Sequence, residues 1–317
     1  MIKSFYTLTI FLGVLLLFLS PWESKGQQAP QYTQYYENQL SINPAYAGIS
    51  NKICLTAIHR DQWVGWEGSP VTNNFNAHSN LNNPYVQGVG ISVLDDELGP
   101  LTNRGLSISA SHRFLFGPGE MSIGLNIGGF QRSVGEEDWN PPDVDAVDDP
   151  AIPNEESSDF VPDLGLGLHY STPDWYAGIS TQHIHEPEFE DWGGPNNSIH
   201  RVFYFTGGYN YQLTQDLILQ PKTLIKADRA RLQTDLTATL RVGDGFWGGA
   251  SYRLQDAVGF HIGANPFDDL RIGYSYDLTT SEVREFSSGS HEIMLSYCFR
   301  ITLTEDQPIE ILTPRFL

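Results

Sequence analysis

Alternation of apolar and polar residues is the dominant pattern along this chain. One clear example is the run Leu270, Ile272, Tyr274 and Tyr276, interleaved with Arg271, Gly273, Ser275 and Asp277. A period of two is typical of β-strands whose faces meet different surroundings, one apolar and one polar. The same pattern predicts fourteen strands, at about 51–59, 70–79, 85–94, 104–114, 119–131, 160–171, 174–182, 200–212, 216–226, 232–242, 245–254, 257–264, 268–277 and 291–300.

The connections between these strands differ in length on the two sides of the predicted sheet. Those after even-numbered strands are short, at 81–84, 115–119, 172–173, 213–215, 243–244 and 265–267. Those after odd-numbered strands are more often long, at 60–69, 95–103, 132–159, 183–199 and 278–290. This asymmetry is typical of bacterial outer-membrane barrels, in which short turns are periplasmic and longer loops are extracellular. The fold class is therefore all-β, a transmembrane β-barrel of about 14 antiparallel strands in the cell outer membrane.

The two ends of the chain lie outside the strand pattern. Lys3 precedes an apolar run from residue 5 to residue 19, and Ser24 and Gly26 fit a cleavage site before Gln27. We expect a signal peptide at 1–26, a periplasmic N-terminal segment at 27–50, the barrel at 51–300 and a periplasmic C-terminal tail at 301–317. No later stretch approaches 18 apolar residues, which argues against a helical membrane protein.

Composition and net charge limit the classes of fold and of binding partner that this chain can have. The chain has 15 Tyr, 17 Phe, 7 Trp and 30 Gly, a richness in aromatic residues and glycine that favours a barrel or a sandwich. Its formal net charge of −20 argues against nucleic acid, because phosphates would be repelled. We expect no cofactor and no metal centre, since no catalytic arrangement or strong metal-binding spacing is present.

Basic residues gather on the face that the alternation turns inward. They are Arg113, Lys222, Lys226, Arg241, Arg253, Arg271 and Arg300, with Asp235 and Glu292 as candidate partners. One interpretation is a lumen filled by ion pairs and hydrogen bonds. The other is a lumen that attracts an anionic ligand or a segment of chain.

Three further features fall near the strand ends and in the loops. Asp143, Asp145, Asp148 and Asp149 belong to an acidic loop, either a solvated surface or a weak calcium site. Trp63 and Trp66 form either a contact surface or a plug in the barrel mouth. Cys54 and Cys298 lie on the inward phase of the first and last strands, near the periplasmic end. Closure would make those strands neighbours, so a disulfide across the seam is possible.

Several sequence blocks resemble a known family. They are Asn43-Pro44-Ala45-Tyr46-Ala47-Gly48, Arg60-Asp61-Gln62-Trp63-Val64-Gly65, Asp95-Asp96-Glu97-Leu98-Gly99-Pro100 and Pro314-Arg315-Phe316-Leu317. In this order they resemble the PorP/SprF family of the Bacteroidota type IX secretion system. The stretch 132–197 carries none of the family's blocks and is this chain's own variation.

The resemblance implies a non-enzymatic outer-membrane component of protein secretion. Such proteins serve type IX secretion or the surface attachment of large secreted proteins, including gliding adhesins. The implied partners are a secreted protein with a type IX C-terminal sorting domain, the periplasmic and outer-membrane secretion components, and the lipid bilayer. On this hypothesis 27–50 and 301–317 contact the machinery. The candidate partner-binding residues are Asn43, Pro44, Tyr46, Gln62, Trp63, Gly65 and Trp66.

Three alternatives stay open at this point. The first is a transport barrel for a hydrophobic or anionic small molecule, with the inward basic residues along its path. The second is an outer-membrane hydrolase, which would need an acid, a base and a nucleophile at one level. The third is a soluble periplasmic β-protein.

Overall fold

The computed structural model describes residues 29–50, 52–81, 83–134, 157–189, 198–229 and 231–300. The predicted signal peptide, the tail 301–317 and the acidic residues Asp143, Asp145, Asp148 and Asp149 lie outside these described residues. Among the described residues, no helix combines the length and apolar character that a membrane-crossing helix needs.

The described chain is built mainly of antiparallel strands. They are β1 (Ile53–Asp61), β2 (Val71–Asn80), β3 (Gly88–Leu98), β4 (Leu101–Phe116), β5 (Gly119–Val134), β6 (Ser157–Ser171), β7 (Trp175–Gln182), β8 (Val202–Tyr209), β9 (Tyr211–Thr214), β10 (Leu217–Ala227), β11 (Leu232–Val242), β12 (Phe246–Arg253), β13 (Ala257–Phe267), β14 (Leu270–Thr279) and β15 (Ser290–Phe299). β8 and β9 pair with successive parts of β10, so they act as one interrupted strand. β15 pairs with β1, which closes a barrel of fourteen strands, as the alternation predicts.

The two faces of the barrel wall differ in chemistry. On β5 the side chains of Ile123, Leu125 and Ile127 are exposed on the outside, whereas Ser122 and Asn126 are buried inside. An apolar outside suits lipid, and buried polar groups on the inside need hydrogen-bond partners within the lumen.

The two ends of the barrel also differ. At the short-turn end β4 and β5 are joined by residues 117–118, and β13 and β14 by residues 268–269. At the other, long-loop end, the connections include 62–70, 135–156, 183–201 and 280–289. Aromatic residues mark strand termini at the short-turn end, as at membrane interfaces; they include Phe116, Trp175, Tyr209, Tyr211, Phe246 and Phe267.

One predicted loop, 95–103, is wrong. β3 and β4 run through it and are joined by Gly99 and Pro100 alone, with Gly99 at φ +54°. The polar residues there remain in register: Asp95 opposes Arg104, whose Nε lies 2.8 Å from the Asp95 Oδ1. The polar residues at 95–103 therefore belong to strands that continue beyond the apolar, lipid-facing band. They do not indicate that the strands end there.

The seam between β1 and β15 is covalently closed at the short-turn end. Cys54 and Cys298 are directly opposed in the register, and their Cα atoms are 4.1 Å apart. Their sulfurs are bonded.

The amino-terminal segment corrects the expectation of a periplasmic stretch at 27–50. Its described part, 29–50, which we name the lumen segment, lies inside the barrel in three short 3-10 turns, Tyr35–Glu37, Gln39–Ser41 and Pro44–Tyr46. Tyr35, Gln34, Ala45 and Ala47 are at most 1% exposed. The segment is polar and not periodic, and its burial depends on contacts with many strands.

Candidate functional site

The lumen segment runs the length of the barrel interior. At the long-loop end Lys226, the second-last residue of β10, donates from Nζ to the Ala29 carbonyl oxygen at 3.0 Å. At the short-turn end Gly48 packs against Ser79 and Gly88, at the end of β2 and the start of β3. The chain therefore passes down through the lumen before it turns back as β1.

Serine hydroxyls on the inner wall hold the lower half of the lumen segment. They donate to successive segment carbonyl oxygens: Ser180 to Ile42 at 2.8 Å, Ser122 to Ala45 at 2.7 Å and Ser111 to Ala47 at 2.8 Å. These three serines belong to β7, β5 and β4, so several strands bind the segment together. The bonds recognise backbone, and each satisfies a buried carbonyl group.

The Asn43–Tyr46 block forms a compact turn against the wall. The Asn43 Oδ1 accepts from the Ala45 backbone N–H at 2.9 Å, and Pro44 occupies the first helical position, where its missing N–H is not needed. The Asn43 Nδ2 donates to the Leu168 carbonyl oxygen at 2.9 Å. Tyr46 meets His78 and His169 edge-on, with ring centroids 5.7 and 5.8 Å away.

Inward-facing glycines make room for the segment. A Cβ on Gly124 would lie 2.2 Å from the Ala45 nitrogen, and one on Gly88 would lie 2.1 Å from the Ala47 carbonyl oxygen. A Cβ on Gly167 would lie 2.0 Å from the Asn43 Oδ1. The wall and the segment therefore approach each other more closely than any side chain allows.

A buried charge cluster, which we define as Arg60, Arg253, Asp235, Asp277 and Glu292, lies towards the long-loop end. Arg60 reaches Asp277 at 2.7 Å and Glu292 at 3.2 Å. Arg253 reaches Asp235 at 2.7 Å and Asp277 at 3.4 Å. All five side chains are at most 5% exposed, so each charge depends on its partners for stabilisation.

The buried charge cluster also binds the lumen segment. The Glu292 carboxylate accepts the backbone N–H groups of Thr33 and Gln34 at 2.8 and 2.7 Å. Asp277 accepts from the Thr33 hydroxyl at 2.6 Å. The upper part of the segment is thus fixed by charge-assisted hydrogen bonds, which are stronger than neutral ones.

Most of the predicted lumen-lining basic residues have partners inside the barrel. Arg113 donates to the Ile49 carbonyl oxygen at 3.3 Å, and the Lys222 ammonium lies 3.6 Å from the centre of the Tyr36 ring. Arg271 pairs with Glu37 at 2.7 Å. Together with Lys226 and Arg253, these side chains bind the lumen segment or the acids around it. These contacts agree with a lumen filled by ion pairs and hydrogen bonds and with one that holds a segment of chain.

Two basic residues from that set lie elsewhere. Arg241, near the short-turn end, pairs with Asp244 of the adjoining turn. Arg300 follows β15 and is exposed, so its assignment to the lumen is wrong. The inward phase of β15 ends with the strand, which is why alternation misplaces this residue.

The candidate partner-binding residues separate into two groups. Asn43 and Pro44 are buried in the lumen, and Tyr46 is partly buried there against the wall, so none of the three lies on the outer loops. Gln62 is also buried and donates to Gln31 of the lumen segment at 3.4 Å. Trp63, Gly65 and Trp66 lie in the 62–70 loop at the long-loop end.

The two tryptophans belong to an exposed aromatic patch, defined as Trp63, Trp66 and Phe286. The Trp63 and Trp66 rings stack at 5.8 Å between centroids, and Trp66 lies 6.2 Å from Phe286 of the 280–289 loop. Trp66 is 46% exposed and Phe286 68%, so the patch does not plug the mouth. The Val64 N–H donates to the Gly289 carbonyl oxygen at 2.8 Å, which fixes the two loops together.

The described residues contain no group of three or more His, Cys, Asp or Glu side chains arranged to hold a metal ion. Beside Pro30 and Tyr32 the lumen keeps a cavity of about 90 Å³. Its polar lining includes the uncharged side chains of Asn74, Ser92, Ser107 and Asn126 together with Arg132, Asp163, His183 and His200.

Sequence reasoning missed Arg60 and the lumen segment. Arg60 falls in the predicted loop 60–69 because the predicted first strand ends at residue 59, although Cys54, Thr56 and Ile58 share its inward phase. Inward glycines such as Gly88 and Gly124 were a further signal, since a lumen lined by glycine needs something else to fill it.

Comparison with known proteins gives a family match over most of the chain. Residues 24–297 match the family described as "Type IX secretion system membrane protein PorP/SprF". A search of curated proteins returns no match.

Solved structures with similar folds have low sequence identity. They include the toluene transporter TbuX of Ralstonia pickettii, with 12% identity, 83% of this chain and 93% of that chain covered, and a TM-score of 0.45. A Pseudomonas aeruginosa FadL homologue has 12% identity, coverage of 87% and 96%, and a TM-score of 0.44. The translocator domain of the autotransporter NalP from Neisseria meningitidis has 11% identity, coverage of 84% and 95%, and a TM-score of 0.42.

The family match and the closed barrel with an apolar outer face assign the protein to the outer membrane and to type IX secretion. The chain belongs to the PorP/SprF family of type IX secretion system membrane proteins.

Proposed function

We propose that this barrel is an occluded, non-enzymatic anchor that holds or guides one cognate secreted surface protein, of the adhesin type, on its outer loops. The observation that supports this most is the lumen segment, bound by the serines and the charge cluster. A lumen filled by the chain's own backbone leaves the ends of the barrel as the surfaces for partners.

The aromatic patch is the proposed contact for the secreted protein. Large aromatic side chains dominate the binding energy of many protein interfaces, and loops on a rigid scaffold commonly carry binding residues. Trp66 and Phe286 are exposed and braced by hydrogen bonds between their loops. The partner that we propose carries a type IX C-terminal sorting domain, and the other secretion components contact the barrel at its short-turn end.

Purification of the tagged protein from its native envelope in mild detergent, followed by mass spectrometry, tests this proposal. We expect one large exported protein with a type IX sorting domain. A Trp66→Ala and Phe286→Ala double variant should retain at least tenfold less of it, since two such truncations remove more than ~1.4 kcal/mol. Tyr85→Ala is the control, because Tyr85 is 83% exposed on the short-turn loop 81–87.

The outcomes separate this proposal from the alternatives. Recovery of core secretion components alone would indicate a subunit of the machine itself. Equal recovery with the double variant and with Tyr85→Ala would remove the aromatic patch from the interface. An unaccompanied barrel that passes small molecules would support the transport barrel, which requires the lumen segment to move aside.

A further inference from the structure

The upper end of the lumen segment lies at the long-loop mouth of the barrel. Lys226 donates to the carbonyl oxygens of Ala29 and Pro30 at 3.0 and 3.3 Å. The Gln31 side chain lies between Gln233, the second residue of β11, and Gln62, which follows β1. Both of these strand ends are at the long-loop end.

The lower end of the lumen segment lies at the opposite mouth. Arg113, near the end of β4, donates to the Ile49 carbonyl oxygen. Lys52, just before β1, pairs with Asp269 in the short turn between β13 and β14. The segment therefore has a fixed direction, from the long-loop mouth at residue 29 to the short-turn mouth at residue 50.

The known orientation of outer-membrane barrels shows which end of the lumen segment faces the outside of the cell. Their longer loops are extracellular and their short turns are periplasmic. We propose that Ala29, Pro30 and Gln31, held by Gln62 and Gln233 beneath them, are displayed at the cell surface and form part of the surface on which a secreted partner docks. The display itself is independent of the proposed function, whereas the docking rests on it.

The chemistry of this mouth fits a polar, extended polypeptide segment of the partner. The Gln31 amide and the backbone of residues 29–31 supply neutral donors and acceptors, and the Lys226 ammonium is occupied by two carbonyl oxygens. The adjoining cavity of about 90 Å³ has room for a small side chain, and its polar lining includes Asn126, Ser107, Arg132 and Asp163. Hydrogen bonds from Ser and Asn side chains to backbone already hold the lumen segment lower down.

Single-cysteine labelling tests the display. The chain has only two cysteines, which are bonded to each other, so an added cysteine is the one reactive thiol. Intact cells that carry Ala29→Cys are treated with a membrane-impermeant maleimide. Glu67→Cys, in the exposed 62–70 loop, reports the outside, and Tyr85→Cys reports the periplasmic side.

We expect Ala29→Cys to be labelled in intact cells at a rate close to that of Glu67→Cys. Labelling that appears only after permeabilisation, as for Tyr85→Cys, would overturn the display, and so would a thiol that stays unreactive in detergent. For docking, Ala29→Cys in the purified complex should react at least tenfold more slowly than in the free barrel. An unchanged rate in an intact complex would overturn the docking alone. Failure to recover any complex would overturn both the docking and the proposed function, while the cell-surface result still decides the display.

Discussion

Gly124 of β5 and Ala45 of the lumen segment approach so closely that a Cβ on Gly124 would lie 2.2 Å from the Ala45 nitrogen. Gly124→Ala must therefore displace the segment, because the neighbouring atom is backbone and cannot rotate away. We expect faster amide hydrogen exchange across residues 45–47 than in the unsubstituted protein. Gly245→Ala is the control, since a Cβ there meets nothing within 4 Å. Equal exchange in the two variants would contradict the seating of the segment at this glycine.

Each serine hydroxyl bonded to the lumen segment should add to the free energy that keeps the segment in the lumen. Removal of Ser111, Ser122 and Ser180 as a triple alanine variant deletes three hydrogen bonds of about 1 kcal/mol each. The open fraction of the lumen should rise on the order of a hundredfold, seen as brief openings in single-channel recordings. The double variant Ser92→Ala and Ser107→Ala changes serines of the upper cavity and should leave the record unaltered. Openings at equal frequency in both variants would contradict this account.

Arg60 should be the most sensitive charged residue of the interior. Arg60→Ala leaves Asp277 and Glu292 buried without a main partner, and breaking a buried ion pair on one side costs about 3–5 kcal/mol. We expect a lower urea midpoint for barrel unfolding in detergent, followed by the mobility shift of the unheated protein on gels. Arg104→Ala breaks the exposed pair with Asp95 and should change the midpoint little. Similar urea midpoints for the two variants would show that the buried charge cluster does not stabilise the barrel.

The disulfide across the seam gives a prediction on covalent structure. Protein from the native envelope, digested without reduction, should yield a peptide pair joined through Cys54 and Cys298. The Cys54→Ser and Cys298→Ser double variant should unfold at lower urea, with a loss of about 2–4 kcal/mol in the free energy of unfolding. Two thiols that alkylate freely before reduction would show that the bond is absent.

The barrel could be predicted from the sequence because strand alternation is a local property. The residues next to Ile123 show which face of the strand it lies on, and turns such as Gly117–Pro118 separate one strand from the next. The predicted loop at 95–103 is wrong because polar residues end the apolar band without ending the strand pairing. Polar side chains show where the lipid-facing band ends, whereas backbone hydrogen bonding between the strands decides where the strands end.

The lumen segment could not be predicted in the same way. Thr33 is buried because Asp277 and Glu292, more than 240 residues away in sequence, supply its partners. No local period encodes such contacts, and a polar segment of this composition is equally suited to water. The aromatic loop was located by sequence, whereas the bracing between Val64 and Gly289 required the closed seam.

The ion current through the purified, unsubstituted protein in a planar lipid bilayer shows whether the lumen is occluded. We predict no steady conductance, because the lumen segment extends through the barrel from the long-loop mouth to the short-turn mouth. A stable current in the unsubstituted protein, at the level of an open barrel of fourteen strands, would contradict it.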